Sequence, residues 1–78
     1  MRFMPIRDKT LSTFGRNVAR IRDARGFSQD KLAEKADLDR TYISGIERGV
    51  RNPGIKTVIR IAKALSASVG DLCKGVDA

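Results

Sequence analysis

SQDKLAEKADLDRTYISGIERG, residues 28–49, decides how this chain folds. Ser28 is a strong helix N-cap, and Leu32, Ala33 and Ala36 behind it share one face of a helix running from Gln29 to Ala36. Asp37-Leu38 forms a short turn. Asp39 then caps a second helix from about Arg40 to Arg48, which Gly49 stops. Ile43 and Ile46 are its inward residues, and Leu38 adds an apolar plug in the turn. Arg40, Thr41, Tyr42 and Ser44, side chains that proteins usually leave in water, crowd the start of the second helix. Gly45 sits in its middle, where glycine is about 1 kcal/mol less favourable than alanine.

Two short helices, a tight turn and a small residue, Ala33, at their crossing make a helix-turn-helix by spacing. In that geometry the start of the second helix of the motif enters the major groove of DNA. Arg40, Thr41 and Ser44 share the exposed face there and are the candidate base readers. Arginine pairs with guanine O6 and N7, and threonine presents a methyl to thymine or a hydroxyl to a base or phosphate. The Tyr42 ring and hydroxyl are placed to reach the backbone or a base edge. Gly45 lies four residues beyond Thr41 on the same side, so its missing side chain is expected to let the helix approach DNA closely.

The rest of the chain is also helical in pattern, with nothing resembling alternating strands. Phe14, Val18 and Ile21 place a first helix over Leu11–Arg25, with Ser12 or Thr13 as its cap and Gly26 closing it. GVRNPG, residues 49–54, is a loop by composition. Ile55, Val58, Ile59, Ala62 and Leu65 mark a fourth helix over Ile55–Leu65. Ser68 and Asp71 fit a capping box that opens a short fifth helix to about Lys74, ended by Gly75. Residues 1–10 show no period and read as a flexible arm, with Phe3 or Ile6 docking on the domain at 11–76. The fold class is all-α, a compact five-helix domain built around the helix-turn-helix. Helices this short need a shared core, for which the candidates are Phe14, Val18, Ile21, Leu32, Ile43, Ile46, Ile59, Ala62, Leu65 and Leu72.

Composition agrees. The 78 residues suffice for one small domain. Sixteen Lys and Arg against nine Asp and Glu leave a net charge of +7, which points to a polyanion, most simply nucleic acid. No apolar run approaches the roughly 18–20 residues of a membrane span, and the start has no apolar core of secretory-signal length. With a single cysteine, Cys73, no disulfide forms within one chain, and a cytoplasmic setting is expected. There is no histidine, no metal-site spacing, no P-loop and no dinucleotide fingerprint. An enzyme is therefore not expected, nor is a cofactor or metal.

IRDARGFSQDKLAEKADLDRTYISGIERG, followed by RNPGIKTVIRIAKALS and SVGDL, resembles the Cro and phage-repressor class of helix-turn-helix regulators from about Phe14 to Lys74. Within that class, DLDRTYISGIERGVRNP looks most like the controller proteins of restriction–modification systems. Those are small homodimeric regulators of their own operon and of the restriction gene. A phage-type or toxin–antitoxin repressor of the same fold, or a protein-interaction module, is the alternative. The resemblance implies that Gln29 bonds phosphate at a helix N-terminus, with Arg48, Arg51 and Asn52 on the backbone or groove and Lys35 adding a phosphate contact. It implies that Tyr42 helps hold the DNA backbone, and that Arg22 and Glu47 form an ion pair between the first and third helices. Its partners are double-stranded DNA, a second copy and, as a further candidate, RNA polymerase. One recognition helix reads few base pairs, so a two-fold dimer is expected, with Ala67, Val69, Leu72, Cys73 and Val76 as interface candidates; capping the core is the alternative for Val69 and Leu72. The class usually has glycine where this chain has Ser66, and Ser or Thr where it has Gly54.

Overall fold

A computed structural model describes residues 8–77 of the chain. They form five helices: α1 (Lys9–Ala24), α2 (Gln29–Ala36), α3 (Arg40–Glu47), α4 (Ile55–Leu65) and α5 (Val69–Leu72). No strand occurs among the described residues. Phe3 and Ile6, expected to dock on the domain, lie outside them.

The helix ends follow local chemistry. α1 begins two residues before the expected Leu11, because Asp8 is the cap: its carboxylate accepts the Leu11 amide at 3.0 Å. Neither Ser12 nor Thr13 caps it; both lie inside the helix. The polar first turn, Lys9-Thr10, gave no periodic signal to extend the helix backwards. Ser28 Oγ accepts the Lys31 amide at 3.0 Å. Asp39 has the extended backbone of an N-cap, but its side chain makes no capping bond. Ser68 and Asp71 complete the capping box, with Asp71 N donating to Ser68 Oγ at 2.9 Å and Ser68 N to Asp71 Oδ2 at 3.0 Å. Hydrogen bonding from the Ser68 backbone amide, and then from its hydroxyl, holds the exposed Asp71 carboxyl below its ordinary pKa of 3.8. α5 then ends at Leu72, short of the expected Lys74.

α3 packs on α1 and α2, α2 packs on α4, and α5 closes against α1 and α4. Phe14, Val18, Ile21, Leu32, Ala33, Ala36, Ile43, Ile46, Val58, Ile61, Ala62, Leu65 and Leu72 are buried in a single cluster. The α1–α3 crossing is close: a Cβ on Gly15 would stand 2.3 Å from the Ile46 carbonyl oxygen. The two backbones meet there with no side chain between them.

α4 corrects one expectation. Ile61 is fully buried, whereas Ile59, expected in the core, is 39% exposed, and Ile55 is 66% exposed. The helix carries two apolar stripes. Positions 58, 61, 62 and 65 face the core; positions 55 and 59 face outward, and the sequence alone did not rank them.

Two helix ends reach left-handed geometry without glycine, at Asp37 (φ 57°) and Ser66 (φ 54°). An arginine from another part of the chain braces each. Arg60 donates to the carbonyls of Ala36 and Asp37. Arg25 donates to Leu65 O at 2.7 Å and Ser66 O at 3.3 Å. These donors satisfy carbonyls that a helix C-terminus leaves unpaired and suit its negative pole. Asn17, the one buried polar residue among those described, ties α1 to the C-terminal turn by donating to Leu72 O and Lys74 O, each at 2.8 Å.

Candidate nucleic-acid interface

The recognition geometry is set at the inner end of α3, by Glu47. Its carboxylate accepts from Arg22 Nε at 2.6 Å, Arg22 Nη2 at 3.0 Å and Gln29 Nε2 at 2.9 Å. Arg22 also donates from Nη1 to Phe27 O at 2.7 Å. The Arg22 and Glu47 side chains are only 13% and 7% exposed. One carboxylate thus joins α1, the first residue of α2 and the last of α3, and Arg22 links the turn after α1 to them. The hydrogen bond to Glu47 holds the Arg22 pKa above its ordinary value against the opposing effect of burial, and the charges of Glu47 and Asp23 add to it.

Gln29 opens α2 with its amide turned toward Glu47. That nitrogen carries two hydrogens, so the bond to Glu47 orients the group and leaves a second donor at the helix N-terminus.

The outer end of α3 is polar and open. Arg40 and Thr41 are exposed, and Tyr42 and Ser44 are half-buried. Arg40 Nε lies 3.6 Å from Asp30 Oδ1, with both side chains largely in solvent, so the pair holds Arg40 only weakly. Ile43 and Ile46, fully buried, anchor the opposite side of the helix. Arg48, Arg51 and Asn52 are exposed along the following loop. Lys35 Nζ lies 5.1 Å from the centroid of the Phe27 ring, a cation–π arrangement. Among the described residues, no group of His, Cys, Asp and Glu is placed to hold a metal ion.

Gly45 does not offer the open side expected of it. It is buried, and a Cβ built on it would meet the Arg51 side chain, 2.5 Å from Cγ. The space left by the missing side chain is filled by the protein's own arginine.

These elements match known proteins. The helix-turn-helix family matches residues 18–72. Control protein C.BamHI of Bacillus amyloliquefaciens is 48% identical over 60 residues, covering 76% of this chain and 74% of that protein. The chain belongs to the helix-turn-helix family, among its restriction–modification controller proteins. The crystal structure of controller protein C.AhdI from Aeromonas hydrophila superposes with a TM-score of 0.78 at 39% identity, over 80% of this chain and 94% of that one. The controller protein C.Esp1396I, solved as a tetramer on its natural 35-base-pair operator, gives 0.79 at 40% identity, over 88% and 91%.

Within this controller protein, the expected interface residues divide. Ala67, Val69, Cys73 and Val76 are half-buried and reach the surface. Leu72 is not a surface residue: it is fully buried, facing the core from the short α5. Cys73 and Val76 line an apolar groove with Leu11, Phe14, Ile55 and Val58. Ile55 was not among the expected interface residues. Its signal was present as the second apolar stripe of α4. Arg25, Arg60 and Asn17 were also missed as structural polar residues; only Asn17, set between Phe14 and Ile21 on the buried face of α1, stood out of pattern in the sequence.

Proposed function

We propose that this controller protein binds operator DNA as a two-fold dimer and regulates transcription of a restriction–modification operon. The observation that carries the reading is the split of α3. Ile43, Ile46 and Glu47 fix the helix to the domain, while Arg40 and Thr41 are exposed at its outer end. Arg40, Thr41 and Ser44 read bases in the major groove. Gln29, Lys35, Tyr42, Arg48, Arg51 and Asn52 hold the backbone or an adjacent groove. The operator-bound tetramer of C.Esp1396I supports paired dimers as the working assembly.

The dimer face centres on Ile55 and Ile59 with Cys73 and Val76, flanked by Ala67 and Val69. Exposed large apolar side chains grouped around an apolar groove are the surface that a second copy covers. The protein acts in the cytoplasm, where the operator is, and at a promoter the dimer meets RNA polymerase, blocking or recruiting it.

Competition binding tests the reading. A duplex selected by the protein from a random-sequence pool should show two-fold symmetric half-sites, and its affinity should fall steeply with salt as bound Lys and Arg release counterions. Equal affinity for all duplexes, or a flat salt response, would sink the sequence-specific reading.

A further inference from the structure

Three observations converge on Gly45. First, the chain leaving α3 turns back on it: Gly49 takes φ 78°, its amide donates to Ile46 O at 3.0 Å, and the Val50 amide donates to Gly45 O at 2.9 Å. That closure brings residue 51 alongside α3. Second, the space where a Cβ would stand is occupied by the Arg51 stem, with Cγ at 2.5 Å, Nε at 3.3 Å and Cδ at 3.5 Å. Third, the Arg51 guanidinium carbon lies 5.9 Å from the centroid of the Tyr42 ring. Arg51, Tyr42 and Thr41 line one depression beside the turn of the motif.

We propose that Gly45 is a positioning residue for Arg51: the absent side chain seats the Arg51 stem against α3 and presents its guanidinium, over Tyr42, beside the base-reading residues. A real Cβ essentially never comes within 3.0 Å of another carbon that is not bonded near it, so Gly45→Ala forces Arg51 to swing out. The three nearest atoms all belong to the Arg51 side chain, beginning at Cγ, so rotation about its first side-chain torsion is what makes the room. An arginine held in one place before binding loses less freedom on meeting DNA than one that must be ordered then. The inference rests on the DNA-binding reading given above.

The test is a double-mutant cycle on the full chain, using the pool-selected duplex as probe. Gly45→Ala should melt no lower than wild type and weaken binding by roughly 3–10-fold, the size expected when one long side chain must be ordered on binding. In an Arg51→Ala background, Gly45→Ala should have no effect. An equal loss in both backgrounds would mean that the glycine admits DNA directly, and the proposal fails. It fails too if Gly45→Ala leaves binding intact, or does not fold, since the seat would then be unused or not a soft contact. NMR of the Arg51 side-chain Nε–H in the free protein needs no DNA: an ordered signal in wild type that becomes mobile in Gly45→Ala is expected, and equal mobility in both overturns the proposal. If wild type shows no sequence-specific binding, the function reading fails while the NMR comparison still judges the seat.

Discussion

Removing the Glu47 carboxylate is the sharpest test of how α3 is held. Glu47→Ala strips Arg22 of two charge-assisted bonds and Gln29 of one. The Arg22 guanidinium keeps Phe27 O and the exposed Asp23 but is left largely without countercharge in a site where its side chain is 13% exposed. Breaking a buried pair from one side is worth about 3–5 kcal/mol, because the remaining charge stays desolvated. A domain of 78 residues has about 4–12 kcal/mol in all. At about 4–8 °C per kcal/mol for a domain of this size, the midpoint should fall by at least roughly 12 °C. The assay is far-UV circular dichroism melting at fixed protein concentration, because the proposed dimer would make the midpoint concentration-dependent. Arg22→Met combined with Glu47→Leu should recover most of the loss, since an apolar pair of similar volume carries no desolvation cost. A single variant melting within about 2 °C of wild type, or a double variant less stable than the single, would refute the reasoning.

Arg40→Ala should weaken operator binding by about 1–3 kcal/mol and relax preference at one base position per half-site, read by competition with single-base operator variants; intact discrimination would remove Arg40 as a reader. Ser66→Gly should raise stability by about 0.5–1 kcal/mol in urea unfolding, because the relief of left-handed strain exceeds the added chain entropy. Ile55→Lys should shift sedimentation toward monomer while leaving the helical circular dichroism unchanged, as expected for an exposed interface residue. Acid sensitivity follows from Asp71. Its folded pKa lies below 3.8, so its contribution is fully present above that value and is lost as pH falls through the lowered one. Asp71→Asn should flatten this acid limb in a pH series of melts, leaving the neutral-pH side without a matching change in slope.

The motif was legible because its signals are local. Ser28 and Ser68 sit within three residues of the amides they cap, and Leu32, Ile43 and Ile46 repeat at helical spacing. What could not be read depends on which distant segments meet. Arg25 and Leu65 are 40 residues apart, and Arg60 and Ala36 are 24 apart; neither arginine differs in the sequence from a solvated surface charge. Ile59 and Ile61 are equally apolar, and only the crossing with α2 decides which one is buried. Leu72 fits both the core and the interface by sequence, because a four-residue helix carries too little periodicity to show its face; it is buried. Gly45 was correctly marked as out of place in a helix, but the reason lies six residues further on, past a turn. Arg22 and Glu47 were linked by resemblance; the part played by Gln29 in their network came only from the geometry.

The arginine braces on α2 and α4 bear on how this protein finds DNA. Arg25 and Arg60 donate into carbonyls of the fold, yet both residues are exposed to solvent, so their charge still adds to the field around the molecule. That field guides diffusing partners and raises the rate of encounter, whereas the lifetime of the complex depends on groups that touch the duplex. The two arginines that hold helix ends thus also carry charge into that field, so a substitution at either is expected to slow association with DNA at low salt, read by stopped-flow kinetics.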